Sequence, residues 1–484
     1  MSRNDELYEK QLDEFKYIVE HYILKLLGLT TRAINNISNK DGALLNYMIY
    51  YLNDSIYFKA NEYSNICCKV DAKNWGKISN FNYEIKTLKK ILEYDPFGLS
   101  KNKNIFYKDI NQKMLSYEYA LEYGLCLALV ERDVDCTSIY KLIIALEQWS
   151  CKTYEGKKVP FAFVIDVNEE APKDAVNYLD FLKSDFSATI TDGISSIIEL
   201  DSNCKLKRYL SICENDFLDH NELSLKMMPL RFAQVLYKYV TGKRIGVFLL
   251  VNGDIMLAKN GELLYVKRNN KWINIHGERY ISTLNEIYKH KKNNGALYKS
   301  IYETTLDVSF AHSGGIIAIV DSNKFLESTV MNFMDNLLEN NFISSDEERN
   351  VLFDKYVKQF EERNKTIYNK AKHKYIEIEF NKMISKRLVI KQLLSLLNNS
   401  KIPFEKIDRK LRAELCGLDG ATILDLNGNV IAFGAIIQNN SGSSGGGRGA
   451  AASRLSDFGG FATKISTDGY IELYKAGEVC YQIK

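Results

Sequence analysis

Proline is scarce, with 5 residues in 484 amid many Lys, Asn, Ile and Tyr, and this reflects a biased genome more than a special fold. No apolar run approaches the roughly 20 residues that a helix needs to cross a bilayer; residues 245–251, interrupted by Gly246, reach about a third of that length, so no membrane partner is expected. Residues 1–30 carry charge at nearly every turn, which leaves neither a basic head with an apolar stretch nor a cleavage site, and no export signal is expected. The nine cysteines, at 67, 68, 126, 136, 151, 204, 213, 416 and 480, include no C-x-x-C pair. A chain this long needs no stapling, so they read as reduced thiols of a cytoplasmic protein. Six histidines, at 21, 220, 276, 290, 312 and 373, are scattered without zinc spacing and read as surface or core residues. No Ser-His-Asp or Cys-His arrangement is legible. One sign of charge does not dominate: Lys+Arg 64 against Asp+Glu 61 gives +3 without a basic block, so nucleic acid is unsupported as a partner.

What is present is ordinary globular usage, 46% hydrophobic and 26% charged, in a chain whose length predicts two to four domains. Residues 1–135 place apolar positions at three-and-four spacing, as in Phe15, Ile18, Val19, Tyr22, Ile23, Leu26 and Leu27, and read as a helical N-terminal segment without chemistry.

Comparing the chain with itself yields four anchors in one order. Ser138, Ile139 and Tyr140 match Ser300, Ile301 and Tyr302, and F-A-F-V-I-D over 161–166 matches I-I-A-I-V-D over 316–321. Asp192-Gly193 followed by I-I-E-L over 197–200 matches Asp419-Gly420 followed by I-L-D-L over 423–426. Residues 253–265 align without gaps to 469–481, sharing Gly, Ile, Leu, Lys, Gly, Glu and Tyr. Strand-turn-strand segments resemble one another by chance, but four matches in register point to a tandem duplication. The fold class is therefore mixed α/β, a sheet covered by helices in each of two tandem units, 136–270 and 297–484. The second unit has about 72 additional residues between Asp321 and Asp419, assigned as a helical insertion over 322–417. Residues 346–398 contain no Pro or Gly and pair charges such as Glu361 with Lys365, which suits a long helix or helix pair.

Two motifs carry candidate chemistry. Residues 439–452 read N-N-S-G-S-S-G-G-G-R-G-A-A-A, lying between a strand over 429–438 and a helix from about 450. Glycines let backbone approach a polyphosphate, helix-terminal amides point at negative charge, and Arg448 adds a forked cation. A mobile hairpin tip is the bland alternative. Asp419-Gly420-Ala421, 29 positions before Arg448, is either a tight turn or a carboxylate that holds a divalent cation bridging phosphates. Cys416 reads as a small buried hydrophobe.

Together, D-G-A-T-I-L-D-L-N-G-N-V-I-A-F-G-A, G-G-G-R-G-A-A-A-S-R-L and T-K-I-S-T-D-G-Y-I-E-L-Y resemble the diadenylate cyclase domain, shared with the catalytic domain of the DNA-integrity scanning protein. The likeness spans 419–484 with the helix and strand of 300–321, and is similar to the subgroup in which a sensor domain precedes the cyclase. The resemblance implies two cyclase-like units, the first a degenerate sensor, and an enzyme condensing two ATP into cyclic di-AMP in a face-to-face homo-oligomer with Mg²⁺ or Mn²⁺. By position, Asp419 is the metal-binding catalytic carboxylate, Gly420 and Ala421 approach the nucleotide, and Gly446, Gly447, Arg448 and Ser466 hold phosphates. The family loop G-T-R-H-R-A-A is altered here: Gly447, Gly449 and Ala450 replace its threonine, histidine and second arginine. The first unit retains Asp192-Gly193 and Arg231, with Met228, Pro229 and Leu230 in place of the glycines. Two further classes are a nucleotide or cyclic-dinucleotide receptor signalling through the insertion, and a scaffold.

Overall fold

The computed structural model describes residues 136–190, 194–211, 228–275, 295–338, 345–364, 370–394, 401–438 and 446–483, with shorter stretches between 16 and 130 and within 280–285. Compactness divides the chain into two units, 1–282 with 483–484, and 283–482.

The helical expectation for residues 1–135 is corrected. A π-helical turn, Val19–Ile23, does run into Leu24–Leu26. Between these and helix α1 (Tyr117–Leu129), however, lie strands β1 (Ile34–Asn36), β2 (Ile49–Leu52), β3 (Ser55–Lys59) and β4 (Cys67–Asp71). They form an antiparallel sheet ordered β1-β4-β3-β2. I-Y-Y-L and S-I-Y-F-K are β-branched and aromatic, and Asn-Asp between them is turn chemistry; this local preference overrides the helical stripe upstream.

The rest of the first unit surrounds a seven-stranded sheet. Its strands are β5 (Phe161–Asp166), β6 (Ser196–Asp201), β7 (Leu206–Ser211), β8 (Ile245–Leu249), β9 (Ile255–Lys259), β10 (Glu262–Arg268) and β11 (Lys271–Asn274), ordered β11-β10-β9-β8-β5-β6-β7. β5 and β6 are parallel; β5·β8, β8·β9, β9·β10, β10·β11 and β6·β7 are antiparallel. Every residue of β5 and β8 is buried, as expected of central strands covered on both faces. Helix α2 (Thr137–Ser150) covers one face with Ile139, Leu142, Ile143 and Leu146, in one core cluster with Phe161, Phe163 and Ile165. Helix α3 (Leu230–Tyr239) precedes β8.

The second unit opens with helix α4 (Gly295–Phe310) and strand β12 (Gly315–Val320). The insertion follows as a helix pair, α5 (Asp346–Asn364) and α6 (Lys370–Leu393), whose shared core is Met334, Leu352, Tyr356, Ile376 and Phe380. Helix α7 (Arg409–Cys416) leads to β13 (Ala421–Asp425) and β14 (Val430–Ala435); helix α8 (Gly446–Ser456) leads to β15 (Phe461–Ile465), β16 (Ile471–Lys475) and β17 (Glu478–Ile483). The sheet order is β14-β13-β12-β15-β16-β17. Here too the first two strands, β12 and β13, are the parallel pair, and β12·β15, β13·β14 and β15·β16 are antiparallel. The fold is therefore mixed α/β.

Both hairpins after the parallel pair turn in the same way. Asp201 accepts from the amides of Asn203 and Lys205 at 2.9 Å each, and Asp425 from Asn427 at 2.7 Å and Asn429 at 2.9 Å. Cys204 and Gly428 take the left-handed conformation at the matching step, with φ of 60° and 83°.

Candidate functional site

The parallel register Ile316↔Ala421 and the antiparallel register Gly315↔Ile465 set one row at the end of the second sheet. Asp419 and Gly314 come just before the parallel strands β13 and β12, and Ser466 just after the antiparallel β15, so all three lie at the same end of the sheet. Arg448 joins this row from helix α8. A Cβ built on Gly314 lies 2.8 Å from Arg448 Nη1, 3.1 Å from its Cζ and 3.3 Å from the Ile465 carbonyl oxygen. Only glycine leaves the guanidinium that berth, and φ of 69° at Gly314 favours glycine independently. Ile316, Ala318, Ala421, Ile423, Ala451 and Ala452 share one core cluster, so the sheet face that leads to this row is the one helix α8 covers.

Helix α7 aims Asp419. Arg409 grips Asp307 of helix α4 with two bonds, at 2.8 and 3.0 Å. Buried Arg412 donates to Thr304 Oγ1 at 2.8 Å and faces Glu303 at 3.7 Å. Burial nonetheless pushes the Glu303 carboxyl above the ordinary glutamate value. The helix so fixed ends at Cys416, three residues before Asp419. Cys416 is buried, takes the Thr422 hydroxyl at 3.3 Å, and has its thiol pushed up to about 12 by burial, so it packs rather than reacts.

The sequence-predicted residues divide in two. Asp419 is exposed, and its Oδ1 accepts from the Gly420 amide at 3.2 Å. Gly446 and Gly447 are exposed on the first turn of helix α8, and a Cβ on either meets nothing within 4 Å among the described residues. Gly420 and Ala421, by contrast, back the row instead of lining it. The Cβ direction of Gly420, with φ of 103°, runs into Gly434 at 2.4 Å, and Ala421 is fully buried. Ser466 closes its own turn, accepting from the Tyr470 amide at 3.1 Å. Asp192, Gly193 and residues 439–445 lie outside the described residues, and Arg231 is exposed on the first turn of helix α3.

Three groups here were missed from sequence. His312, φ 52°, bonds the Thr467 carbonyl through Nδ1 at 2.9 Å and fixes the approach to Gly314. Lys464 lies beneath the loop: a Cβ on Gly449 would be 3.7 Å from its Nζ and 3.6 Å from the Tyr474 hydroxyl. Glu472 holds both, with Lys464 at 2.8 Å and the Tyr474 hydroxyl at 3.0 Å. Burial and Glu472 raise the Tyr474 hydroxyl's pKa, so it stays a donor. The third, Lys386 of helix α6, donates to the Gly434 carbonyl. The one signal available was the two-residue step from Lys464 to Ser466 on a strand, which puts both on one face.

Among the described residues no group of three or more His, Cys, Asp or Glu is placed to hold a metal ion. A single exposed carboxylate suits Mg²⁺ or Mn²⁺ where phosphate oxygens complete the shell, and does not make a resident cage. Also among them, no helix is long and apolar enough to cross a membrane. No family model, no curated protein and no solved structure matches the chain.

Gly420→Ala is expected to destabilise the second unit by about 3 kcal/mol or more, since the methyl meets strand β14 backbone and φ is left-handed. Urea unfolding followed by circular dichroism measures this; an unchanged midpoint refutes the packing role given to Gly420.

Proposed function

We propose that the second unit binds ATP or a related nucleotide at the Asp419–Gly314–Ser466 row and condenses two such molecules into cyclic di-AMP or a related cyclic dinucleotide. The observation that carries this reading is the approach of the Arg448 guanidinium to Gly314, at the end of the sheet where Asp419 also lies. A helix N-terminus and an arginine fork are groups that suit a polyphosphate. Asp419 suits a 3′-hydroxyl and any divalent cation carried in with the phosphates, that cation then being part of the substrate. One unit holds one nucleotide, so in-line attack of one hydroxyl on the other α-phosphorus needs two copies face to face; pyrophosphate leaves.

We infer further that the first unit is a duplicated, degenerate sensor. The shared strand order and the matched Asp201 and Asp425 hairpins support this. The registers then pair Phe161 with Gly315, one step from the alignment at Ile316 that sequence alone suggests. Counted on the same basis, Pro160, Ser195 and Leu250 stand where the second unit has Gly314, Asp419 and Ser466. At those positions the first unit has neither an acidic residue nor a glycine.

Incubation with α-labelled ATP and Mg²⁺ or Mn²⁺ tests the proposal. Cyclic product is the expected result. Saturable binding without product favours a receptor, the reading suggested by Gly449 and Ala450 in a loop whose family form carries two cationic side chains. Neither binding nor product eliminates both.

A further inference from the structure

We propose that Lys386, from the inserted helix α6, is a positioning residue for Asp419, so that the insertion is a working part of the nucleotide site. This rests on the nucleotide-binding reading above. Strand β14 passes the site through an irregularity: Ala421 pairs with Ala435, but Ile423 pairs with Ala432. Such a bulge bends a strand and re-aims its neighbours. At its centre Gly434, φ 59°, presses on Gly420, whose Cβ position lies 2.4 Å from the Gly434 carbonyl carbon and 2.6 Å from its oxygen. The Cβ position of Gly434 in turn lies 3.0 Å from the Asp419 carbonyl oxygen and 3.1 Å from Lys386 Nζ, so ammonium and carbonyl are at most about 6 Å apart.

Lys386 fastens this bulge from outside. Its ammonium donates to the Gly434 carbonyl and faces the Asp335 carboxylate at 3.6 Å. Asp335, 5% exposed in its side chain, also accepts from the Ile436 amide at 3.4 Å. One lysine and one buried carboxylate thus hold 434–436 against the turn that presents Asp419. The bond cannot arise within the sheet; it is made by a helix 33 positions before Asp419, anchored through Met334, Ile376 and Phe380. Without the ammonium, the Gly434 carbonyl and the Asp335 carboxylate each lose the contact that Lys386 makes with them. The bulge then relaxes, and the turn that presents the Asp419 carboxylate loses the backing of Gly434. Displacements of about 1 Å cost orders of magnitude where a group must meet a phosphate-bound cation or a reacting hydroxyl.

The test is titration calorimetry of the full chain with α,β-methylene-ATP, with Mg²⁺ and with EDTA, on wild type, Lys386→Met and Lys386→Arg. Methionine keeps the stem and removes the donor. Lys386→Met is expected to bind the analogue in EDTA within about twofold of wild type but to lose about tenfold of the tightening that Mg²⁺ confers, with arginine restoring most of it. That split marks positioning of the carboxylate, since general loosening would weaken both conditions. Wild-type tightening in Lys386→Met overturns the assignment and leaves nucleotide binding standing. Failure of the wild type to bind overturns both. Hydrogen exchange on the wild type decides the case if the methionine variant does not fold: analogue-induced protection of 383–389 and 432–436 supports the role, and protection confined to 446–450 overturns it.

Discussion

Arg448→Ala is expected to reduce cyclic-dinucleotide formation by at least about a hundredfold, the usual scale for removing a donor that faces developing phosphate charge. The guanidinium lies against Gly314, which sets the fork at this end of the sheet. Arg448→Lys keeps the charge and loses the fork, and should recover only part of the rate. Asp419→Asn preserves an oxygen for the Gly420 amide, so the turn survives, yet it removes the charge that suits a phosphate-borne cation. Its Mg²⁺-dependent nucleotide affinity should fall with the rate. The proposed reaction needs two copies to meet, so on that reading wild-type specific activity should rise with protein concentration in the dilute range. Product release timed by chromatography reads all of these. Wild-type rates in both Arg448→Ala and Asp419→Asn would remove the site.

Lys267→Met is expected to cost the first unit about 3–5 kcal/mol, the scale for stripping one partner from a buried ion pair. Glu122 is fully buried on helix α1; its Oε1 takes the Lys267 ammonium and the Trp272 Nε1–H at 3.0 Å. Lys267 also reaches Glu147 of helix α2, so one cation bolts two helices to strand β10. Without it the buried Glu122 carboxyl loses its cationic hydrogen-bond partner. Burial, with Glu147 nearby, already pushes the Glu122 carboxyl from 4.5 up to about 8, while the carboxylates raise Lys267 and keep it charged. The folded first unit therefore holds a proton that the unfolded chain releases between about pH 4.5 and 8. This contribution to stability is fully present below the lower value and is lost as pH rises through the upper one. Urea midpoints should fall across that window in the wild type and stay level in Glu122→Gln. A flat wild-type profile would refute the assignment.

The helix pair of the insertion was legible because residues 346–398 lack every local breaker and carry charges three and four apart, properties that need no tertiary partner. The hairpin at 469–481 was legible likewise, from turn glycines between β-branched runs. Strands β1 to β4 were missed because they are 3–5 residues long and follow a longer helical stripe. The one-residue difference between matching Phe161 to Ile316 and to Gly315 has a definite cause. All six residues of β5 and of β12 are buried, so no alternation distinguishes one face from the other, and only hydrogen-bond register does.

At the candidate site the split follows the range of the forces. Local chemistry marked Asp419 as a strand-edge carboxylate and the run through Arg448 as backbone able to meet phosphate. Which glycines are packed was decided by the fold: Gly446 and Gly447 are exposed, whereas Gly420 is spent on the approach of strand β14. Gly314, Lys464 and Lys386 take their parts from neighbours 134, 8 and 48 positions away, Arg448, Glu472 and Gly434. No periodicity over a single segment records such contacts, because they exist only once separate strands and the inserted helix have packed.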